Sequence, residues 1–360
     1  MANEENRGNI FQQTLKEVVQ PFKDLFHAPR ALWGINVSYL LEGLTYFGVV
    51  GLLAIFFNES IGLNDIEAGQ MVGVLTAGIT LSMLILGATV DIIGVRLSLL
   101  ISLAAMLIGR VLLALSPELF PGNGLWGPAH ITAMLGILGI IIGYGIYQPA
   151  CYAGVKRFTN EKTSAMGYAM LYALMNLGGF LPGLISPPVR KSFGITGVFW
   201  VYVALTVVGI LSVFFILSKK TVQMAEANLS DEKKEEVAAE KDMPFAEKMK
   251  YYMKNFPLKD ARFLFFIFIL IPVQTLFAHN WLTLPVYCLR AFTGVVSENF
   301  EFFTNFNPIL IFILTPAVAA LTTNKNAYKM MVWAHSLWPR RHFCWLSGLT
   351  SIRYSVISSS

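Results

Sequence analysis

The chain has 360 residues, 55% of them apolar, and a mean hydropathy of +0.58. Only 14% of its residues are charged, compared with about 25% in a typical soluble domain. An ordinary soluble enzyme is excluded, because long runs with so few charges have no water-compatible surface. Three cysteines (Cys151, Cys288 and Cys344) are too few and too scattered for a disulfide framework or a metal site. The composition therefore predicts an all-α, multi-pass membrane protein without a cofactor.

The first 30 residues are polar and of mixed charge, which excludes a cleaved signal peptide. Apolar residues recur at helical spacing between Phe11 and Phe26. Two interpretations stay open for this segment: a short amphipathic helix on the membrane surface, or a polar tail.

Eight runs of about 20 mostly apolar residues follow, and each is long enough to cross a bilayer as a helix. The predicted spans are 32–57, 68–90, 97–116, 129–154, 164–186, 196–218, 263–288 and 303–323.

The distribution of Lys and Arg between the spans predicts the orientation. Basic residues precede the first span and occupy every second connection, as at Arg96 and Lys156, whereas the alternate connections carry acids such as Glu118. By the positive-inside rule, the N-terminus is cytoplasmic. The expected location is the plasma membrane, the inner membrane in a bacterium. Arg190 and Lys191, after the fifth span, are the exception to this pattern.

A charged stretch separates the sixth span from the seventh, with ten basic and nine acidic residues between positions 219 and 262. A disordered linker is predicted for 219–243, followed by a surface helix. The predicted parts are a cytoplasmic segment 1–30, a six-helix bundle 31–218, a cytoplasmic linker 219–262, a partial second bundle 263–333 and an aberrant tail 334–360. Six spans, a linker and further spans are typical of transporters built from two halves.

The connection between spans two and three contains Gly87, Asp91, Gly94 and Arg96. Small Gly87 permits close helix packing, and Asp91 and Arg96 supply opposite charges at the helix ends. This spacing resembles the loop signature of the major facilitator superfamily. The resemblance implies a complete N-terminal six-helix half, an incomplete C-terminal half, and a gating role for these four residues.

Four other segments resemble the proton-dependent oligopeptide transporter branch of that superfamily. They are residues 42–48 in span one, 143–149 in span four, 172–178 in span five, and Asn307-Pro308 with Pro316 in span eight. In that branch, two glutamates and an arginine of span one and a lysine of span four are implicated in proton coupling and in reading a peptide carboxylate. Here only Glu42 of those charges is present, because Tyr39, Gly43 and Gln148 occupy the other positions.

Glu42 lies in the middle of the first span, where an ionised carboxylate must be protonated, paired or in contact with water. Tyr39, Glu42 and Tyr46 share one face of the predicted helix. The residues favour a proton-titrating role for Glu42, with Tyr39 and Tyr46 beside the substrate. The alternative is a carboxylic acid that hydrogen-bonds to a neighbouring helix.

Other polar side chains inside the spans are candidates for substrate binding. Tyr144 and Gln148 share one face of span four, and Tyr172 and Asn176 share one face of span five. Both pairs fit either a polar cavity or hydrogen bonding between helices. Arg110 in span three lies close enough to the membrane surface for its side chain to extend to the headgroups, so a structural role is predicted.

Span seven is unusually polar and supplies weaker candidates for the same site: Gln274, Asn280 and Trp281, with His279 as a group that titrates near neutral pH. The sequence contains no nucleotide-binding loop, metal-ligand cluster or nucleophile–base pair. Transport would therefore be secondary, with a small organic solute, protons and lipid as partners and no nucleic acid.

Three functions are consistent with this pattern: a proton-coupled secondary transporter of a small organic solute, a non-transporting fragment of such a protein, and a membrane receptor or assembly partner.

The fragment hypothesis rests on residues 334–345, where two arginines and two histidines occur in place of an apolar helix. Trp338, Phe343 and Cys344 all have codons that begin with T. A one-base change of frame would place that T in the middle of each codon, which encodes only apolar residues. A frameshift after about residue 333 is therefore predicted.

Overall fold

A computed structural model of the chain describes residues 29–121, 124–159, 161–227, 259–322 and 329–330, and positions 244, 247, 250 and 254 singly. All regular elements among these residues are helical, which confirms the predicted all-α fold. The helices are α1 (Arg30–Glu59), α2 (Asp65–Leu86), α3 (Thr89–Ile93), α4 (Val95–Leu119), α5 (Pro128–Phe158), α6 (Glu161–Phe180), α7 (Pro182–Ile216), α8 (Lys219–Ala227), α9 (Ala261–Leu282), α10 (Leu284–Ala291), α11 (Val295–Glu298), α12 (Phe300–Thr304) and α13 (Phe306–Thr322).

Five stretches among the described residues are long and apolar enough to cross a membrane. Four of them are α1, α2, α4 and α5, which correspond to the first four predicted spans. The fifth is the 50-residue stretch Gly167–Ile216, which contains both the fifth and the sixth predicted span. The chain turns between these two spans at Gly194, whose φ of +69° is readily adopted only by glycine.

The seventh and eighth predicted spans are each interrupted, which corrects their predicted limits. The helix of span seven ends at Leu282 rather than at residue 288, and α10 starts afresh beyond Thr283 with Pro285 in its first turn. Pro285 has no N–H to donate to the preceding turn, which favours a helix break at this point. Span eight is divided at Asn305 between α12 and α13.

The prediction of a disordered linker is wrong for its first part, because Lys219–Ala227 forms helix α8. The Ser218 hydroxyl accepts a hydrogen bond from the Thr221 N–H at 3.2 Å, which satisfies a free donor at the start of this helix. Residues 228–243, the predicted surface helix after position 244, the N-terminal segment 1–28 and the predicted aberrant tail from 334 lie outside the described residues, isolated positions apart.

Glycines set the closest helix contact, which is between α4 and α5. A Cβ atom on Gly109 would lie 2.4 Å from the Gly136 carbonyl oxygen, and one on Gly136 would lie 2.6 Å from the Gly109 carbonyl oxygen. Gly139 approaches the same place on α4, with a Cβ position 3.0 Å from the Gly109 Cα. The backbones of α4 and α5 therefore touch, as small residues allow in membrane helices.

The helix ends define two membrane faces. We call the face at which α1 ends and α2 begins the Glu118 face, since α4 also ends there and Glu118 accepts a hydrogen bond from the Trp200 indole at 3.0 Å. Asn64 starts α2 on this face with a capping box, exchanging hydrogen bonds of 2.9 and 3.0 Å with Glu67. The opposite face, where α4 begins, is the Arg96 face.

The described residues from Pro29 to Phe312 belong to one compact unit, within which α1 packs against α2, α5, α6 and α7. From Ile313 onward the chain belongs to a second unit, of which the structure describes the helical end of α13 and positions 329–330.

Candidate substrate and gating sites

The side chains of Tyr39 and Gln148 meet between α1 and α5. The Tyr39 hydroxyl donates to the Gln148 side-chain oxygen at 3.0 Å, and the Tyr39 ring stacks on Tyr147 with 6.3 Å between centroids. The Ser38 and Tyr147 hydroxyls are hydrogen-bonded at 2.8 Å. The structure therefore brings together two predicted site residues from different helices, and Ser38 and Tyr147 complete the contact.

An aromatic cluster continues along α1 toward the second half of the chain. The Tyr46 ring lies 4.8 Å from Tyr144 and 5.2 Å from Phe47, and the Phe47 ring lies 4.6 Å from Trp281 of α9. Three predicted site residues, Tyr46, Tyr144 and Trp281, are thus linked through Phe47. Sequence reasoning missed Phe47, although it lies in the segment 42–48 that resembles the oligopeptide transporter branch.

Glu42 is paired with Arg110, which corrects the predicted role of that arginine. Both side chains are 2% exposed, so Arg110 does not extend to the headgroups. Its guanidinium donates to both carboxylate oxygens of Glu42, at 2.8 Å to Oε2 and in a shorter contact to Oε1. The Thr45 hydroxyl also donates to Oε2 at 3.1 Å, and Arg110 donates to the Thr206 hydroxyl at 2.7 Å. A two-pronged pair of this kind joins α1, α4 and α7.

The predicted extension of Arg110 to the headgroups is wrong because the rise along a helix gives the depth of a residue in the membrane but not the direction of its side chain. Arg110 lies 68 positions after Glu42, and only the packing of α4 beside α1 turns the two side chains toward each other. A carboxylate at the same depth offers the guanidinium an opposite charge and two acceptors, so the charged group can stay buried without reaching the headgroups.

Tyr172 and Asn176 lie apart from this cluster. Tyr172 is 55% exposed, and the Asn176 amide donates to the Tyr172 backbone carbonyl at 2.9 Å. Neither makes a hydrogen bond or ring contact with the Tyr39–Gln148 pair in the part of the chain that the structure describes. On α9, the His279 ring and the Thr283 hydroxyl are 2.8 Å apart, while the side chains of Gln274 and Asn280 lie outside the described atoms.

The four predicted gating residues lie at the Arg96 face. Gly94 has a φ of +79° and separates α3 from α4, a backbone conformation that side chains with a Cβ rarely adopt. Gly87 ends α2, with a Cβ position 3.5 Å from Pro149 of α5. The Arg96 guanidinium donates to the Leu217 carbonyl at 2.7 Å and so caps the end of α7. Asp91 is exposed beside this turn.

Ion pairs on the Glu118 face connect the first six spans to the segment between α10 and α12. Arg190 donates to both carboxylate oxygens of Glu301, once in a short contact and once at 3.0 Å, and to the Glu298 carbonyl at 2.9 Å. Lys191 donates to the Glu298 carboxylate at 3.0 Å. Arg190 and Lys191, the exception to the positive-inside pattern, therefore have acidic partners on the same face.

A second contact on the Glu118 face joins α10 to α2. The Arg290 guanidinium donates to the two Asp65 carboxylate oxygens at 2.5 and 2.8 Å. These hydrogen bonds raise the pKa of Arg290 above its ordinary value. We call the Arg190–Glu301, Lys191–Glu298 and Arg290–Asp65 pairs together the ion-pair latch. Sequence reasoning missed the latch because its partners are more than 100 positions apart.

The fold and these contacts define a polytopic helical membrane protein in which a six-span bundle meets a further helical segment across an aromatic cluster and an ion-pair latch. The family model described as Major Facilitator Superfamily matches residues 35–337, and the chain belongs to this superfamily. Its members are transporters, so the chain is not an enzyme.

Similar proteins include peptide transporters. The chain is 25% identical over 204 residues to Dipeptide and tripeptide permease A of Proteus mirabilis (strain HI4320), a match that covers 55% of this chain and 38% of the relative. It is also 25% identical over 174 residues to Dipeptide and tripeptide permease B of Edwardsiella piscicida, covering 47% of this chain and 33% of the relative. The chain thus matches about a third of the length of these curated relatives.

Solved structures of similar fold also include peptide transporters. The crystal structure of the peptide transporter POT in complex with sulfate matches with a TM-score of 0.59 at 17% identity, covering 82% of this chain and 68% of that one. A structure of a proton-dependent oligopeptide transporter matches with a TM-score of 0.57 at 20% identity, covering 80% and 70%. These structural matches confirm the fold. Together with the superfamily match and the two permeases, they agree with the predicted resemblance to the oligopeptide transporter branch.

Proposed function

We propose that the protein is a secondary active transporter of a small organic solute in the plasma membrane, the inner membrane in a bacterium, with its N-terminus cytoplasmic. Transport would proceed by rocking of two helical groups around a site near the middle of the membrane. Membership of the superfamily and the aromatic contact between α1 and α9 support this function.

The observation that carries the proposal is the ion-pair latch. Its three pairs connect separate parts of the chain at one membrane face, and Glu301 is only 3% exposed. If the two groups rock, these pairs must separate for the Glu118 face to open. Separation exposes the buried Glu301 carboxylate to water and releases Arg190, which is the kind of two-state contact that alternating access needs.

Reversing one charge of the latch tests this function. We expect Arg190→Glu to open the Glu118 face, because two carboxylates would then repel each other at the site of the pair. Spin labels on cysteines at Ile66 and Val295, which are 75% and 70% exposed, would report a new population at longer distance. The measurement uses the full chain in lipid nanodiscs, with the three native cysteines replaced by alanine.

Two further variants serve as controls. Combining Arg190→Glu with Glu301→Arg restores opposite charges and should restore the shorter distance. Lys191→Glu reverses a pair whose side chains are 44% and 61% exposed, so it should shift the distribution little. An unchanged distance distribution in Arg190→Glu, or no recovery in the double variant, would contradict the role of the latch.

The proposed energy source is the proton gradient, with Glu42 as the titrating group. The resemblance to the proton-dependent branch supports this, and so does the geometry of the buried pair. Protonation of Glu42 would leave the Arg110 guanidinium buried without its counter-charge. A proton on Glu42 therefore favours a rearrangement of α1 against α4 and α7, the three helices that the pair connects.

A further inference from the structure

The interior of the membrane-spanning region has no net charge. Among all Asp, Glu, Lys and Arg residues of the chain, only Glu42 and Arg110 fall within the limits of the eight predicted spans. The structure pairs these two with each other and buries both to 2% exposure. Neither charge is therefore available to a solute while the pair is intact.

The remaining polar groups of the candidate site are neutral. The Tyr39 hydroxyl donates a hydrogen bond to the Gln148 side-chain oxygen, so the amide N–H groups of the half-buried Gln148 can donate to a solute. The Tyr144 hydroxyl is buried at 2% exposure and has no hydrogen-bond partner among the described residues. Buried polar groups without partners are rare in native structures, so the Tyr144 hydroxyl requires an explanation.

The same site offers apolar surface from both parts of the molecule. Tyr46 and Phe47 are half-buried on α1, and Trp281 of α9 packs on Phe47 with 4.6 Å between ring centroids. Neutral donors beside aromatic rings are the usual lining of a site for an uncharged organic molecule.

Building on the proposed transport function, we infer that the solute is uncharged where it contacts the first six spans. It would carry carbonyl or amide groups that accept hydrogen bonds from Gln148 and Tyr144, and an aromatic or apolar body that packs on Phe47 and Trp281. A free carboxylate or ammonium group would lose its water here without gaining an opposite charge, which is strongly unfavourable. A blocked peptide or another neutral amide meets these requirements, whereas a dipeptide with free termini does not.

Calorimetric titration of the full chain in lipid nanodiscs tests this inference with two probes of the same amino-acid sequence. One is alanyl-phenylalanine with free termini, and the other is the same dipeptide with an acetylated N-terminus and an amidated C-terminus. We expect the blocked dipeptide to bind at least about tenfold more tightly, a difference that one uncompensated charge readily produces.

Two substitutions of one residue sharpen the test. Gln148→Lys adds a cation at the site and should move the affinity ratio at least about tenfold toward the dipeptide with a free carboxylate. Gln148→Met keeps the site neutral and should weaken binding of the blocked dipeptide without improving binding of the free one. Thermal unfolding of each purified variant checks that it is folded.

Equal or tighter binding of the free dipeptide by the natural sequence overturns the inference. Binding of neither probe at millimolar concentration also overturns it, because both named contacts would then be unused. These outcomes leave the transport function to be judged separately, since the spin-label distances across the latch need no solute.

Discussion

The Glu42–Arg110 pair places two full charges where water is scarce. Each charge is stabilised there by the opposite charge of its partner. Removing both from water is costly, so such a pair adds little net stability compared with apolar residues of similar size. Removing only one is different, because the other then stays buried and uncompensated. The Thr45 and Thr206 hydroxyls contribute hydrogen bonds but no charge.

Glu42→Gln should therefore lower the free energy of unfolding by about 3–5 kcal/mol. The amide keeps the shape of the carboxylate but leaves the Arg110 guanidinium without an opposite charge. The double variant Glu42→Leu with Arg110→Met removes both charges and should recover most of this loss. Denaturant unfolding of the detergent-solubilised chain measures both.

The same variants separate folding from coupling. If Glu42 carries the proton, both the single and the double variant should lose pH-driven accumulation in proteoliposomes, although the double variant is stable. As a control, Glu298→Gln alters a 61% exposed carboxylate and should change stability by less than about 1 kcal/mol. Accumulation that persists in the stable double variant would contradict the coupling role.

Helical spacing in the sequence identified which residues share a face of one helix, but not which helix that face meets. Tyr39 and Tyr46 were grouped with Glu42 on α1, yet the structure directs Tyr39 to Gln148, Tyr46 to Tyr144 and Glu42 to Arg110. The rotation of each helix is set by its packing against its neighbours, which single-helix periodicity does not contain.

At the scale of the helices, the contact between α4 and α5 is fixed by backbone approach at Gly109 and Gly136. Gly136→Ala should destabilise the protein by about 1–3 kcal/mol, because its Cβ would meet the Gly109 carbonyl oxygen at 2.6 Å. Gly73→Ala is the matched control, since nothing lies within 4 Å of its Cβ position. That change should be neutral or slightly stabilising, because alanine is the better helix former. Thermal unfolding compares the two.

The connection between α2 and α4 is a candidate for gating rather than recognition. Arg96 holds the end of α7 through the Leu217 carbonyl, and Asp91 lies in the preceding short helix α3 at the same face. Asp91→Asn should slow counterflow of the blocked dipeptide at least about tenfold while its binding affinity stays within a few-fold, because a gate changes rates between states. A large loss of affinity with normal counterflow would assign Asp91 to the binding site instead.

Helix existence was easier to predict from the sequence than helix limits. The first four spans were located to within a few residues by hydropathy, because a bilayer demands about 20 apolar residues from each. The predicted limit of span seven is wrong because a helix break occurs within it, next to Pro285. The part of α7 before the break at Gly194 contains three prolines, at positions 182, 187 and 188. Pro182 sits in the first turn, where a missing N–H is harmless.

At the scale of the whole molecule, hydropathy predicts the spans and the Lys and Arg distribution predicts their orientation, but neither predicts the latch. Arg190 and Lys191 remain an exception to the positive-inside pattern, because that pattern gives little weight to acidic residues. Glu298 and Glu301 compensate them at the same face. Hydropathy and charge patterns are summed over neighbouring positions. They therefore cannot identify partners that are 107 and 111 positions apart in sequence.

That separation has a consequence for how the chain is made. Synthesis proceeds at about 5–20 residues per second, so Arg190 and Lys191 leave the ribosome roughly 5–20 s before their acidic partners. During this interval the fifth and sixth spans carry two unmatched cations on the side that, in the proposed orientation, must cross the membrane. The nascent six-span intermediate therefore has a weakened orientation signal, and its two cations stay without their latch partners until Glu298 and Glu301 are synthesised.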